Sequence, residues 1–288
     1  MTQPFECFVG IDWSGDRKLR QKGLKIAVAY PGNAAPRLEI GPGYKGRWSR
    51  TEAVDWIVEL VKRRRALIGL DFAFGFPSID SLIGNTDLDW NYVEKICESD
   101  LNFYGGAFFR LPGSAHSHLV NSPWLPKHSY SADHLRVTEI VAKETTGARP
   151  QSIFNAVGAA QVGPSSISGM RALRHLRQRL DERIAIWPFN EARCVDSVLV
   201  EIFPRYFPLS KALSPRLANH CTLNLALNAF ESDQVANAPE SEDEGDALLS
   251  AAALRVLSVQ ESLFDMPDEP IRSQGWIFGV PVRSGKTS

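Results

Sequence analysis

The sequence predicts an α/β protein, and three observations carry the prediction. Short apolar or alternating runs closed by Gly, Pro and Asn open the chain, one stretch of helical periodicity follows, and a continuous apolar run comes next. The first group comprises FECFVGIDWSG, GLKIAVAYPG and PRLEIG, which read as strands joined by tight connections. From Thr51 to Arg65 the apolar residues Ala53, Val54, Ile57, Val58, Leu60 and Val61 recur at helical spacing, with Ser49 or Thr51 placed to cap the start. ALIGLDFAF then has the character of a strand buried on both faces. The predicted order is three strands, a helix and another buried strand.

Residues from about 78 to 183 break this rhythm. They are rich in Gly, Pro, Ser, His and Asn up to about 150, with helical stretches around 88–100 and 132–145. A long irregular segment inside a compact domain is more often functional than structural, so it is read as an inserted lid or subdomain. IAIWPF and DSVLVEIF return as strands, residues 208–230 and 244–257 have helical composition, and GWIFGVPV predicts a terminal strand before a polar tail. No internal repeat is evident.

The 288 residues carry 32 Lys+Arg against 33 Asp+Glu, a net charge of −1, so any nucleic-acid binding must come from local patches rather than from an overall basic field. The length suits one large domain with an insertion, over 1–288, or two smaller ones. With 44% hydrophobic residues, disorder is excluded. The strongest apolar stretches are interrupted by carboxylates well short of the roughly 20 residues a membrane-spanning helix needs. MTQPFECF lacks the basic region and apolar core of a secretory signal, which predicts a cytoplasmic protein. Cys7, Cys97, Cys194 and Cys221 lie far apart without C-x-x-C spacing, which argues against a zinc site or a disulfide framework.

The candidate chemistry is acidic. Asp12 ends the first strand in VGIDWSG, Asp71 sits inside an apolar strand in GLDFAFGFP, and Glu201 occupies a similar place in VLVEIFPR. A carboxylate in or at the end of a buried strand is costly unless cations or hydrogen-bond donors compensate. A shared metal site would do so. In SEDEGDALLSAAAL, Asp246 falls on the same helical face as Asp243 or Glu242 at a helix start. All-oxygen ligation favours Mg²⁺ or Mn²⁺ over zinc. Each acid also has a structural reading: Asp12 as a turn cap, Asp71 held by backbone donors or an Arg, Glu201 paired with Arg205, and the run before Asp246 favoured by the helix dipole.

Other segments offer weaker signals. Ser152, Gln161, Ser165, Ser166 and Ser168 crowd QSIFNAVGAAQVGPSSISGM, where helix-start amides could face a phosphate or simply be capped. Arg171, Arg174 and Arg177 in RALRHLRQRL fall near one face, either a track for a nucleic-acid backbone or a solvated basic surface. Lys62–Arg65 suits a helix C-terminus. His116, His118, His128 and His134 match ordinary zinc spacings poorly. Arg136 and Glu139 in RVTE are either substrate contacts or an i,i+3 surface ion pair.

The blocks VGIDWSG, GLDFAFGFP, RVTE, RPQSIFNAVGAAQVGPSSISGM, VEIFPR, GDALLSAAALR and GWIFGVP together resemble, in order, a domain-of-unknown-function family of predicted nucleases with a ribonuclease H-like fold. The resemblance touches most of the chain from about residue 8 to 281. It implies a mixed sheet of three antiparallel strands and then parallel strands, flanked by helices, with metal-binding acids on the first strand, the fourth strand and a late helix. Those positions are Asp12, Asp71 and Asp246, with Glu201 as a fourth and Asp243 assisting. Two-metal phosphodiester hydrolysis is the implied reaction. The resemblance implies Arg136 and Glu139 as substrate contacts, which join Ser14, Ser152, Gln161, Ser166, Arg171 and Arg174 as substrate-binding candidates, and the expected partner is DNA or RNA. The chain has Gln274 before GWIFGVP where the family pattern leads one to expect an acid, so that position is left out of the metal set. Two rival readings are a non-catalytic nucleic-acid-binding or adaptor protein on the same fold, and an actin-like or sugar-kinase-type phosphotransferase. The latter lacks a second copy of the GIDWSG element in the sequence.

Overall fold

A computed structural model describes residues 4–77, 89–110, 135–156, 162–192 and 195–282. Six strands form one sheet: β1 (Cys7–Asp12), β2 (Lys25–Ala29), β3 (Arg37–Glu39), β4 (Ala66–Asp71), β5 (Ile184–Ile186) and β6 (Ser197–Glu201). Their spatial order is β3-β2-β1-β4-β6-β5. The first three pair antiparallel, and β1, β4, β6 and β5 then run parallel. Parallel neighbours are expected to be buried on both faces, and β4 and β6 read accordingly as almost uninterrupted apolar runs. GWIFGVPV, expected as a terminal strand, makes only one parallel bridge, Ile277 to Glu201. Gly275 and Gly279 bracket it at φ +78° and +92°, left-handed conformations that end extended pairing while Trp276 and Phe278 bury themselves in the core.

Strand alternation sends Cys7, Val9 and Ile11 to one face, where they meet α1 (Arg50–Arg63) and α5 (Gly163–Leu180). A complete capping box starts α1, with the Ser49 side chain accepting from the Glu52 amide and the Glu52 carboxylate accepting from the Ser49 amide at 2.8 Å. The opposite face packs against α8 (Glu242–Leu257), with α4 (Val137–Thr146), α6 (Tyr206–Ser210) and α7 (His220–Ala229) alongside.

The segment expected as a lid is partly core. Leu173, Leu176 and Leu180 of α5 pack directly on the sheet, while α2 (Trp90–Cys97) and α3 (Gly106–Arg110) cover the outer side of α5 through Val93, Cys97 and Phe108. The four histidines considered as ligands lie outside the described residues.

Two strand glycines let α8 approach the sheet. A β-carbon at Gly10 would stand 2.4 Å from the Ala247 carbonyl oxygen, and one at Gly69 would stand 2.8 Å from Leu254 Cδ1. Gly10→Ala must push the helix backbone away, and its expected cost is about 1–3 kcal/mol, read as a lowered urea midpoint. An unchanged midpoint would mean that the close approach is not tight.

Candidate active site

Asp12 and Asp71 are register partners at the C-terminal ends of the parallel strands β1 and β4, which places their backbones about 4.8 Å apart. Both continue the face of Phe8, Gly10, Leu67 and Gly69, so they point toward α8. Ser241 caps that helix by accepting from the Glu244 amide at 3.3 Å. Because Ala247 rests on Gly10, the preceding residue, Asp246, is carried over the strand ends, with Asp243 one turn earlier.

The other acids of this helix start are engaged elsewhere. Glu242 accepts from the amides of Leu217 and Ala218 at 2.7 and 3.1 Å. Glu244 pairs with Lys25 at 2.6 Å and accepts from the Glu240 amide. Of the two acids the sequence left open, Asp243 is the one free to face the strands.

Burial pushes the Asp12 carboxyl well above the ordinary range, and the charges of Asp71, Asp246 and Asp243 add to it while Lys25 opposes. Asp71 is pushed up to about 7 by burial, then by Glu201, with Arg205 opposing and Asp243 adding. Asp246 rises for the same reasons: burial first, then Asp71, with Arg205 opposing. Asp243 is also raised by burial, against Lys25. One carboxylate oxygen of Asp246, Oδ1, is buried without a hydrogen-bond partner.

Among the described residues no three acidic, histidine or cysteine side chains already converge as an ion-holding set. The donor chemistry nevertheless fits a hard divalent cation: four aspartates on three elements, all oxygen, under mutual repulsion, with a buried oxygen unsatisfied. Asp12, Asp71, Asp243 and Asp246 are the residues that would hold it. Beside them opens a cavity of about 340 Å³, reached by Asp71 and Asp243 and walled by Trp13, Gln151, Ser165 and Phe203.

Glu201 has a different role from the expected one. It pairs in register with Leu70 rather than Asp71, yet it lines the same cavity as Asp71 and Asp243, and its charge is the largest one raising Asp71. Arg136 Nη2 donates to its Oε1 at 2.5 Å, and Arg136 Nη1 and the Phe74 amide donate to its Oε2 at 2.8 and 2.9 Å. Its partner is thus Arg136, not Arg205, and it is left out of the metal set below.

Arg136 and Glu139 are likewise not surface groups. They are 1% and 4% exposed, and Arg136 also donates to Glu139 Oε1 from Nε and Nη2 and to the Gln274 carbonyl from Nη1. This buried triad joins the start of α4 to the end of β6, which excludes a surface ion pair, and all three residues line the cavity beside Asp71 and Asp243.

The remaining expected substrate contacts divide. Ser14 is half-buried beside the acids, accepting from the Asp16 amide at 3.3 Å. Ser152 accepts from the Phe154 amide in a local turn, and Ser166 accepts from the Ala73 amide at 3.1 Å, tying α5 to the exit of β4. Arg171 is buried, clamping Glu94 through Nε and Nη2 and donating from Nη1 to the carbonyls of Asp100 and Tyr104, so it holds α2 to α5 instead of tracking a backbone. Arg174 is accessible but lines a separate cavity. Gln161 lies outside the described residues.

Two cations near the acids were not singled out by the sequence as site residues. Lys25 is the antiparallel partner of Asp12, and Arg205 is exposed at the start of α6 and opposes the charges of Asp71 and Asp246. Only strand register reveals the first, and only the turn after β6 reveals the second.

Comparison with protein-family models, with curated proteins and with solved structures finds no match. No described helix is long and apolar enough to cross a membrane.

Proposed function

We propose that this protein is a metal-dependent phosphodiester hydrolase of ribonuclease H-like architecture, acting on nucleic acid with Mg²⁺ or Mn²⁺. The observation that carries the reading is the mutual charge repulsion of Asp12, Asp71, Asp243 and Asp246 at the C-terminal end of the parallel strands, without the hydrogen bonds that neutralise Glu201. Strand order and strand directions support the architecture. When bound, the divalent ion would supply an activated water and stabilise the leaving oxygen. The chain's own part is to hold four carboxylates on rigid elements, to set Lys25 and Arg205 around them as counter-charges for a phosphate, and to offer the adjoining cavity as a wall for the substrate.

The test is a panel of fluorescent single-stranded and duplex DNA and RNA, incubated with Mg²⁺ or Mn²⁺. Cleavage is expected with wild type, abolished by EDTA and reduced at least about a hundredfold by Asp246→Asn. Cleavage that survives EDTA and Asp246→Asn would overturn the reading. The separation of the acids favours one alternative, a non-catalytic nucleic-acid-binding protein on the same fold, which predicts binding across the panel without cutting.

A further inference from the structure

A second cavity, of about 410 Å³, opens on the other side of the β4 exit, between α5, the start of α2 and the segment after β5. Its walls pair aromatic rings with guanidinium groups. Trp90 is fixed by donating from Nε1 to the Phe74 carbonyl at 2.8 Å, and Phe189 packs edge-on against it with centroids 5.3 Å apart. The Arg177 guanidinium lies over the indole, 4.6 Å from its centroid, and donates to Asn190 Oδ1 at 3.2 Å. Arg174 donates from Nε to Asn91 Oδ1 at 3.0 Å. Among the described residues neither arginine forms an ion pair, whereas Arg171 and Arg179 on the same helix do.

We propose that this cavity binds a base and an adjoining phosphate of single-stranded nucleic acid. A guanidinium held over an indole and hydrogen-bonded to Asn190 is confined beside the ring, so it can present a planar cation to a base and its remaining N–H groups to a phosphate. Arg174 supplies a second cation beside it. Bases in a duplex are stacked on one another and do not offer their faces, so the preference is for single strands.

This deepens the hydrolase reading and rests on it for where the strand leads, though not for binding itself. Asp71 and Ala73 line the acidic cavity and Gly75 lines this one, so the two open on either side of one short turn. Ser166 and Arg177 of α5 line the first and the second respectively, roughly 16 Å apart along the helix axis. At about 3.4 Å per stacked nucleotide, a strand of about five nucleotides reaches both. A mononucleotide cannot.

The experiment is fluorescence anisotropy in EDTA with labelled oligo-dT and oligo-U dodecamers, a duplex of equal length, and unlabelled thymidine monophosphate as competitor. Wild type is expected to prefer single strands over the duplex, with the mononucleotide competing for the one base and phosphate it shares with them. The Arg174→Glu/Arg177→Glu double variant is expected to bind at least about tenfold more weakly, with a salt dependence shallower by about 0.7 for each phosphate no longer neutralised. Arg177→Lys keeps the charge and loses the planar stack, so it is expected to weaken binding severalfold at an unchanged salt slope; it also decides the matter if the double variant unfolds. Equal binding by wild type and variants, or no single-strand binding by wild type, would each overturn the proposal. The assay contains no metal, so its failure leaves the carboxylate reading standing, and loss of metal binding leaves this one standing.

Discussion

Arg136→Ala is expected to destabilise the protein by about 3–5 kcal/mol, the largest effect of any single substitution considered. The guanidinium is 1% exposed and serves two carboxylates that are themselves 4% and 2% exposed, Glu139 and Glu201. Its removal strands both charges in the interior, next to the Gln274 carbonyl that Arg136 also satisfies. Burial already pushes the Glu139 carboxyl above its ordinary value, with Arg136 as the main influence holding it down. Without Arg136 the Glu139 carboxyl is driven further up by burial and must take up a proton to stay buried. The variant is therefore expected to be least destabilised at about pH 4–5 and most destabilised at about pH 8, a dependence that urea unfolding at the two pH values measures directly. An equal loss at both would mean that lost packing, not stranded charge, is the cause.

Asp71→Asn is expected to act in the opposite direction on stability while removing function. A carboxyl whose folded value is pushed up to about 7, against about 3.9 when unfolded, favours folding only while protonated. The unfolded chain releases that proton first, so in EDTA this group's contribution to stability falls as pH rises from about 4 to about 7. Asp12 adds to the same slope, since its carboxyl is raised by burial and by the same neighbours. Asparagine keeps the shape and removes the charge. In metal-free buffer at pH 8 the variant is expected to exceed wild type by on the order of 1 kcal/mol or more, with the difference closing below about pH 4. A structural carboxylate such as Glu201 predicts the reverse sign, because its charge is used to neutralise Arg136. Stabilisation on removing the charge, joined to loss of metal-dependent cleavage, is the signature of a site kept at the expense of the fold.

The strand-end aspartates were legible because a carboxylate inside an apolar run stands out against its neighbours, and Asp246 because helical spacing put it beside an acidic neighbour at the helix start. Glu201 looked identical to Asp71 in the sequence. What separates them is the partner: Arg136, 65 residues earlier in the chain, donates to both Glu201 oxygens, while Asp71 meets other carboxylates. A partner that distant in sequence is invisible to local pattern. The burial of Arg171 was hidden for a similar reason, since its three-residue spacing with Arg174 and Arg177 marks one broad face, and only the packing of α2 shows which part of that face is covered. The cavity at Trp90 and Phe189 joins residues almost a hundred positions apart, and no local pattern connects them. GWIFGVPV failed as a strand because its composition is right while its two positive-φ glycines end the extended run.

Whether the four aspartates form a cation site is decided by titration calorimetry with Mg²⁺ or Mn²⁺, on wild type and on the Asp12→Asn/Asp71→Asn double variant. Wild type is expected to bind the ion, and the double variant, folded and no less stable than wild type in EDTA, is expected not to. Undiminished binding by the variant, or no binding by wild type even with a nucleic-acid strand present, would contradict the assignment of these carboxylates to a metal.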